Sequence, residues 1–420
     1  MTAVLLENNP NPARTVYADL IRHQRFAIID CLQLESGETL VQCPVAYKTW
    51  GRLNDAADNV LVVCHALTGS SDVADWWELL LGPGRAFEPQ HFFIFCANVL
   101  GSPYGSASPV TADPRTGRPY GPGFPQTTVR DDVHAHKLVL DALGVTSVAA
   151  VVGGSMGGMT TLEWPLCTPP GYVRHIVPIA TAADHSAWGI SWAETQRQCI
   201  YSDHRFNEGH YDPIPGGQPA AGLAAARMIA MLTYRSCVSF DSRFGRKAPS
   251  LGLRQKSSVQ KKGTDVAFSA QGYLHYQGEK FVGRFDANCY LHLMNKMDGH
   301  DVSAGRAAAG NDDGTALGRV LGCVPPGALV IGIATDALFL PSQQERLAAH
   351  LPGATLEIVD SPDGHDGFLL EFDQLNNLIR QKLRSSVPEF YTVFHAVETR
   401  KADAAGGVES LTGEVEQWRL

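Results

Sequence analysis

The sequence predicts an α/β protein: a mostly parallel sheet flanked by helices and interrupted by a helical insertion. Three observations predict it. Apolar runs of strand length alternate with helical patterns, as expected for parallel strands joined by crossovers. One such run, Ala149 to Val152, opens into Gly153-Gly154-Ser155-Met156-Gly157-Gly158 and then a helix. Strand signals vanish between about Thr181 and Gly322 and then return.

In chain order, Phe26–Leu32 and Leu40–Trp50 are strand-like and flank the turn Glu35-Ser36-Gly37-Glu38, which predicts a hairpin. Asn59–His65 is an unbroken apolar strand opening into the small polar loop Ala66-Leu67-Thr68-Gly69. The next strand, Phe92–Ala97, runs into Asn98-Val99-Leu100-Gly101 and a glycine- and proline-rich excursion to about Phe124, expected as an ordered surface loop. Arg130–Leu143 has helical spacing and stops at Gly144. A strand at His175–Ala180 follows the glycine-rich turn and its helix. Beyond it, amphipathic runs predict helices over Trp192–Tyr201, Leu223–Tyr234 and Gly278–Met297. The basic segment Arg243 to Lys262 between them is expected to be a mobile loop. Strands return at Ala328–Ala334 and Thr355–Asp360, before a last helix over about Gly367–Leu383. The expected organisation is therefore a core of residues 1–180 and 323–400, a helical lid of residues 181–322 and a disordered tail at 401–420.

Composition narrows the function classes. A net charge of −9 without long single-sign runs gives no footprint for nucleic acid. The nine cysteines are scattered without a C-x-x-C pair, several inside apolar runs, so they are expected to be reduced and to include no metal site. No stretch is long and apolar enough for a membrane span, and the polar start lacks an apolar leader core. The expectation is a soluble cytoplasmic protein.

The glycine-rich turn carries the chemistry. Gly153-x-Ser155-x-Gly157 between strand and helix is the pattern of a nucleophile elbow, in which a serine hydroxyl is held above the sheet edge. A serine hydroxyl needs a base, and the base needs an orienting carboxylate. In α/β-hydrolases these follow in the order Ser, Asp, His. Asp336 follows the strand ending at Ala334, and His365 follows the strand ending near Asp360. Each is unremarkable singly, since an aspartate after a strand is commonly a cap. Three residue types in order, each at a strand's carboxyl end, predict the α/β-hydrolase fold and the triad Ser155–Asp336–His365. The oxyanion hole is expected from the backbone amides of Met156 and Leu67.

With those residues in place, the sequence resembles the homoserine O-acetyltransferase family of acyl-CoA transferases. The resemblance rests on Gly-Gly-Ser155-Met-Gly-Gly-Met, His65-Ala66-Leu67-Thr68-Gly69, Asn98-Val99-Leu100-Gly101, Arg284-Phe285-Asp286-Ala287-Asn288 and Gly364-His365-Asp366-Gly367. It spans roughly residues 25 to 385. It implies a ping-pong reaction in methionine biosynthesis: acetyl-CoA, a co-substrate rather than a tightly bound cofactor, acylates Ser155, and the hydroxyl of L-homoserine then takes the acetyl group. It further implies that Arg227 holds the homoserine carboxylate, that Asp366 holds its ammonium, and that two copies pair as a homodimer through the lid helices. Ser102-Pro103-Tyr104 stands where many bacterial members carry Gly-Cys, and this form resembles the fungal branch. That branch leaves L-serine or deacetylcephalosporin C open as acceptors. Succinyl-CoA as donor, or water as acceptor in an ester hydrolase, are the other readings compatible with the triad.

Overall fold

The computed structural model describes residues 1–10, 13–248, 266–306, 313–392 and 410–411. The hairpin is formed by β2 (Arg25–Gln33) and β3 (Thr39–Trp50), paired antiparallel, with a short β1 (Ala3–Leu6) added along β2. β4 (Val60–Cys64), β5 (Phe93–Ala97), β6 (Val148–Gly154), β7 (Ile176–Ile179), β8 (Leu329–Ile333) and β9 (Thr355–Val359) complete one sheet in the order β1-β2-β3-β5-β4-β6-β7-β8-β9. From β5 to β9 every pairing is parallel. This is the mostly parallel α/β sheet that the alternation predicts. β1 was not among the expected strands, because four residues in a polar terminus carry too little periodicity.

Each central strand is buried on both faces, which explains the unbroken apolar runs. Val60 and Val62 of β4 face a core closed by α2 (Val129–Ala142) and α3 (Met156–Cys167). Leu61 and Val63 face the opposite core, closed by Trp77, Phe87 and α12 (Phe372–Ser386). The alternation is the period-two geometry of a strand. Between β4 and β5 lies the single turn α1 (Val73–Trp76).

Between β7 and β8 come α4 (Ala187–Tyr201), α5 (Ala220–Tyr234), α6 (Cys237–Arg243), α7 (Ser269–Arg284), α8 (Ala287–Asp298) and α9 (Asp313–Leu321). Leu223, Ala226, Phe281, Phe285 and Leu293 from these helices share one apolar cluster with Met156 and Met159 of α3, so the inserted helices pack over the carboxyl edge of the sheet. Where one helical run was expected over Gly278–Met297, the structure has two. Phe285 is extended, with φ −135° and ψ 155°, and the Asp286 carboxylate accepts from the Cys289 amide at 3.0 Å, starting a new helix. Both halves are amphipathic, so periodicity alone does not reveal the break; the aspartate is the only local sign. Beyond β8 come α10 (Pro341–His350) and α11 (Gly367–Leu370).

The excursion after Gly101 also differs from expectation. Residues 101–111 are buried, and exposure is confined to 114–119 and to Pro122 and Gly123. Its small residues satisfy the backbone internally: Ala107 N–H donates to Pro44 O at 2.8 Å, and Ser106 Oγ donates to Asn98 O at 2.6 Å. Gly101 has φ +88°, and a Cβ there would lie 2.2 Å from the ring of His292 on α8, so only glycine lets that helix close down. Next to it, Lys296 of α8 donates to both carboxylate oxygens of Asp132 on α2, at 2.7 and 2.8 Å, and to Leu100 O at 2.7 Å.

Residues 249–262 of the basic segment lie outside the described residues, as does the tail except Ser410 and Leu411. Ser410 Oγ and Leu411 N–H both donate to Asp75 Oδ1, at 2.7 and 3.0 Å, and Lys280 Nζ donates to Ser410 O at 3.0 Å. Among the described residues, no helix is long and apolar enough to cross a membrane.

Candidate active site

The strand-to-helix turn after β6 holds Ser155 at φ 60° and ψ −125°, in a region that L-residues seldom occupy. The neighbouring glycines make this possible. A Cβ on Gly157 would lie 2.1 Å from Cys64 O at the end of β4, and one on Gly153 would lie 2.3 Å from Gly157 O. Ser155 thus stands at the first turn of α3, beside the loop after β4.

Two later strands deliver its partners. Asp336 follows β8, and its Oδ1 accepts from the amides of Leu338 and Phe339 at 2.8 and 2.9 Å. That leaves Oδ2 to accept from His365 Nδ1 at 2.6 Å. A carboxylate can only accept here, so the ring proton sits on Nδ1, and Nε2 accepts from Ser155 Oγ at 2.9 Å. The imidazole stacks on Phe339, with ring centres 5.2 Å apart, and meets Phe368 edge-on at the same distance. His365 is 2 % exposed and Asp336 3 %, which keeps the pair dry. The three residues named from the sequence therefore form one hydrogen-bonded line. Residues 29 and 210 positions apart meet because β6, β8 and β9 end on the same edge of the sheet.

Of the two expected amide donors, Met156 follows the serine in sequence and Leu67 shares its cavity. Met156 is the first residue of α3, so its N–H has no intrahelical acceptor. Leu67 lines the cavity that contains Ser155. Its loop is fixed by His65, whose Nε2 accepts from the Val99 amide at 3.1 Å and whose Nδ1 donates to Ala66 O at 2.8 Å. Burial pushes the His65 pKa down to about 4, so the ring stays neutral and keeps that tautomer.

The cavity lies between the sheet edge and α4. Trp192, Ala193, Met294, Met297 and Leu338 give it an apolar wall, and Gln196, His185 and Asp366 supply polar groups. Asp366 lines it, and its Oδ2 is 2.9 Å from Arg235 Nε, with both side chains almost fully buried. Arg227 is placed less directly. It is 1 % exposed, with its guanidinium 5.5 Å from the Tyr234 ring and 4.9 Å from the Phe281 ring. Tyr234 lines the cavity, and Arg227 sits behind it.

Sequence reasoning missed Arg235, Tyr104 and Arg284 as site-supporting residues. Arg284 Nη1 donates to Tyr104 Oη at 2.8 Å and to Thr68 O at 3.0 Å. Arg284 stands in one of the segments that carry the resemblance, but nothing in its neighbours Phe285-Asp286 signals a contact with Thr68 O. No group of three or more His, Cys, Asp or Glu side chains placed to hold a metal ion occurs among the described residues.

An edge-mounted Ser-His-Asp line under a helical cover defines the class of protein. The family model described as the alpha/beta hydrolase fold matches residues 59–372. Curated relatives named homoserine O-acetyltransferase are similar over most of the chain. One from Cryptococcus neoformans var. grubii is 45 % identical, covering 97 % of both chains; one from Saccharomyces cerevisiae is 46 % identical, covering 87 % of both. One from Salinibacter ruber is 49 % identical over 86 % of this chain and 98 % of its own. The chain belongs to the alpha/beta hydrolase fold family and, within it, to the homoserine O-acetyltransferase family, which makes it an acyltransferase. Among solved structures, a homoserine O-acetyltransferase from Bacillus anthracis matches with a TM-score of 0.75 at 21 % identity, covering 87 % of this chain and 98 % of its own. Esterase E22 matches with a TM-score of 0.73 at 24 % identity, covering 86 % and 99 %. These two share the fold.

Proposed function

We propose that this chain moves an acetyl group from acetyl-CoA to the hydroxyl of L-homoserine, by a ping-pong mechanism at Ser155. The observation that carries the reading is the Ser155–His365–Asp336 line inside a cavity roofed by the inserted helices, in a chain 45 % identical to a homoserine O-acetyltransferase over nearly its full length.

In the first half-reaction, Ser155 Oγ attacks the thioester carbonyl as His365 Nε2 takes its proton. Asp336 holds the imidazolium, and the amides of Leu67 and Met156 receive the negative charge on oxygen. Collapse expels the thiolate, which takes the proton from Nε2, leaving acetyl-Ser155 and free CoA. In the second half, Nε2 removes the homoserine hydroxyl proton, the alkoxide attacks the acetyl carbon, and Ser155 leaves reprotonated. The apolar wall of Trp192, Met294 and Met297 suits the acyl-thioester arm. Asp366 takes the acceptor ammonium, with Arg235 holding that carboxylate in place. Arg227 balances the acceptor carboxylate from behind Tyr234.

Residues 181–322 are the lid in this scheme, and residues 1–180 with 323–400 the core. Exposed Trp188, Leu232 and Val238 on the lid helices support a homodimer formed through the lid. Sedimentation of the intact chain should give twice the 45.4 kDa monomer mass, and a single monomeric species would remove that part of the scheme. The product is an activated amino-acid ester, suited to replacement of its acetate by a sulfur nucleophile in methionine synthesis in the cytoplasm.

The test is mass spectrometry of Ser155 after acetyl-CoA or succinyl-CoA, followed by discharge with L-homoserine, L-serine, deacetylcephalosporin C or water. The reading expects a +42 Da acetyl adduct discharged fastest by L-homoserine. Preferential discharge by another alcohol would reassign the acceptor, and rapid discharge by water alone would make the chain an ester hydrolase.

A further inference from the structure

The expected oxyanion donor at Leu67 belongs to a peptide plane whose other end is the Ala66 carbonyl. A trans peptide holds its N–H and C=O antiparallel, so whatever fixes Ala66 O also aims Leu67 N–H. Ala66 O accepts from two groups: His65 Nδ1 at 2.8 Å and the Gly69 amide at 2.9 Å. The Gly69 amide is in turn one end of the Thr68–Gly69 peptide plane. Its other end, Thr68 O, accepts from Arg284 Nη1 at 3.0 Å. Two peptide planes thus link a lid side chain to the place where negative charge develops.

Arg284 is itself well fixed. It closes α7, is 5 % exposed, lies 5.0 Å over the Phe281 ring and donates to Tyr104 Oη at 2.8 Å. Tyr104 is fully buried and packs edge-on against Phe285, with ring centres 5.7 Å apart. We propose that Arg284 is a positioning residue for the oxyanion hole, held by Tyr104 and acting through the Thr68–Gly69 peptide to aim Leu67 N–H, so that the lid completes the hole as well as covering it. This rests on the reading of Ser155 as nucleophile and Leu67 as oxyanion donor.

The test compares Arg284→Met, Arg284→Lys and Tyr104→Phe with the intact chain. Three quantities are measured: the single-turnover rate of CoA release from acetyl-CoA, the dissociation constant for CoA, and the affinity for a trifluoromethyl ketone that adds to Ser155 and places an oxyanion in the hole. Loss of one oxyanion donor slows such reactions by about 100- to 1,000-fold. Arg284→Met should approach that loss in both release rate and ketone affinity, with CoA binding unchanged within about twofold. Arg284→Lys should recover part of it. Tyr104→Phe, which removes one oxygen, should lose about 10-fold through one hydrogen bond, and it decides the matter if Arg284→Met does not fold. An unchanged ketone affinity, or a loss of CoA binding equal to the loss of rate, overturns the assignment. The ketone needs no acyl donor. If the intact chain is not acylated by acetyl-CoA, the acetyl-transfer reading fails while the ketone still judges Arg284.

Discussion

At Ser155 the backbone occupies φ 60° and ψ −125°, and the conformation persists because surrounding atoms leave no relaxed alternative. Gly157→Ala would drive a Cβ to 2.1 Å from Cys64 O and push the elbow away from β4. We expect that variant to fold with reduced activity, seen as slower labelling of Ser155 by an organophosphonate. Ser155→Ala should lower turnover on the order of 10⁴- to 10⁶-fold, and Asp336→Asn about 10⁴-fold through the wrong histidine tautomer. Single-turnover assays check both. Arg235 and Asp366 pair at 2.9 Å with almost no exposure. Arg235→Met removes the cation beside a buried carboxylate, and the expected outcome is a lower urea midpoint, together with a raised KM for L-homoserine. Ser155, Asp336 and His365 were legible in the sequence because each follows a strand end that periodicity locates, whereas Asp366 was singled out only by the family resemblance. Arg235 was not, because its partner is 131 positions away on a separate element.

Between elements, Lys296 of α8 ties the lid to Asp132 of α2 in a fully buried ion pair. Burial pushes the Asp132 pKa up to about 6, the Lys296 charge opposing, and burial lowers that of Lys296. Removing one partner leaves a buried charge, so Lys296→Met should destabilise by about 3–5 kcal/mol, and adding Asp132→Leu should recover much of it. Urea midpoints of the two single variants and the double variant measure the coupling; additive losses would show that the pair is not coupled. The helices themselves were largely visible as amphipathic runs. Two boundaries were not: the Phe285–Asp286 break, and the burial of residues 101–111. Both arise because α7 and α8 close over the sheet, a contact between segments about 180 residues apart.

The whole molecule carries an acid sensitivity. Burial pushes the pKa of His65 down to about 4 and those of His136 and His300 down to about 3, and holds that of His292 well below its ordinary value. A histidine whose folded pKa is depressed takes up a proton first in the unfolded chain. Its stability is complete above about pH 6.5 and falls as the pH drops toward its folded value. Asp132 and Asp286 act oppositely: burial pushes both pKa values up to about 6, so they bind protons first in the folded state below that pH. With His175, also lowered by burial, and Asp72, also raised by it, five histidines stand against three carboxyls, and the unfolded chain is the net proton acceptor below about pH 6. Stability should fall by about 1.4 kcal/mol per pH unit for each net proton. The urea midpoint should therefore be lower at pH 5 than at pH 7.5. A flat profile would show that these histidines are hydrated in solution.

By itself the sequence determined the sheet's strands other than β1, the elbow and the order of Ser155, Asp336 and His365, because strand periodicity and glycine spacing are local properties written within a few residues. Only the tertiary structure decided how the site is held. Arg235 beside Asp366 and Arg284 on Thr68 O both join the lid to strand-end loops. Such contacts depend on how two surfaces pack, and an arginine at the end of an amphipathic run looks the same whether it meets water or a buried carbonyl. The elbow announces a nucleophile locally, whereas aiming the charge-stabilising amides toward it is a property of the closed fold.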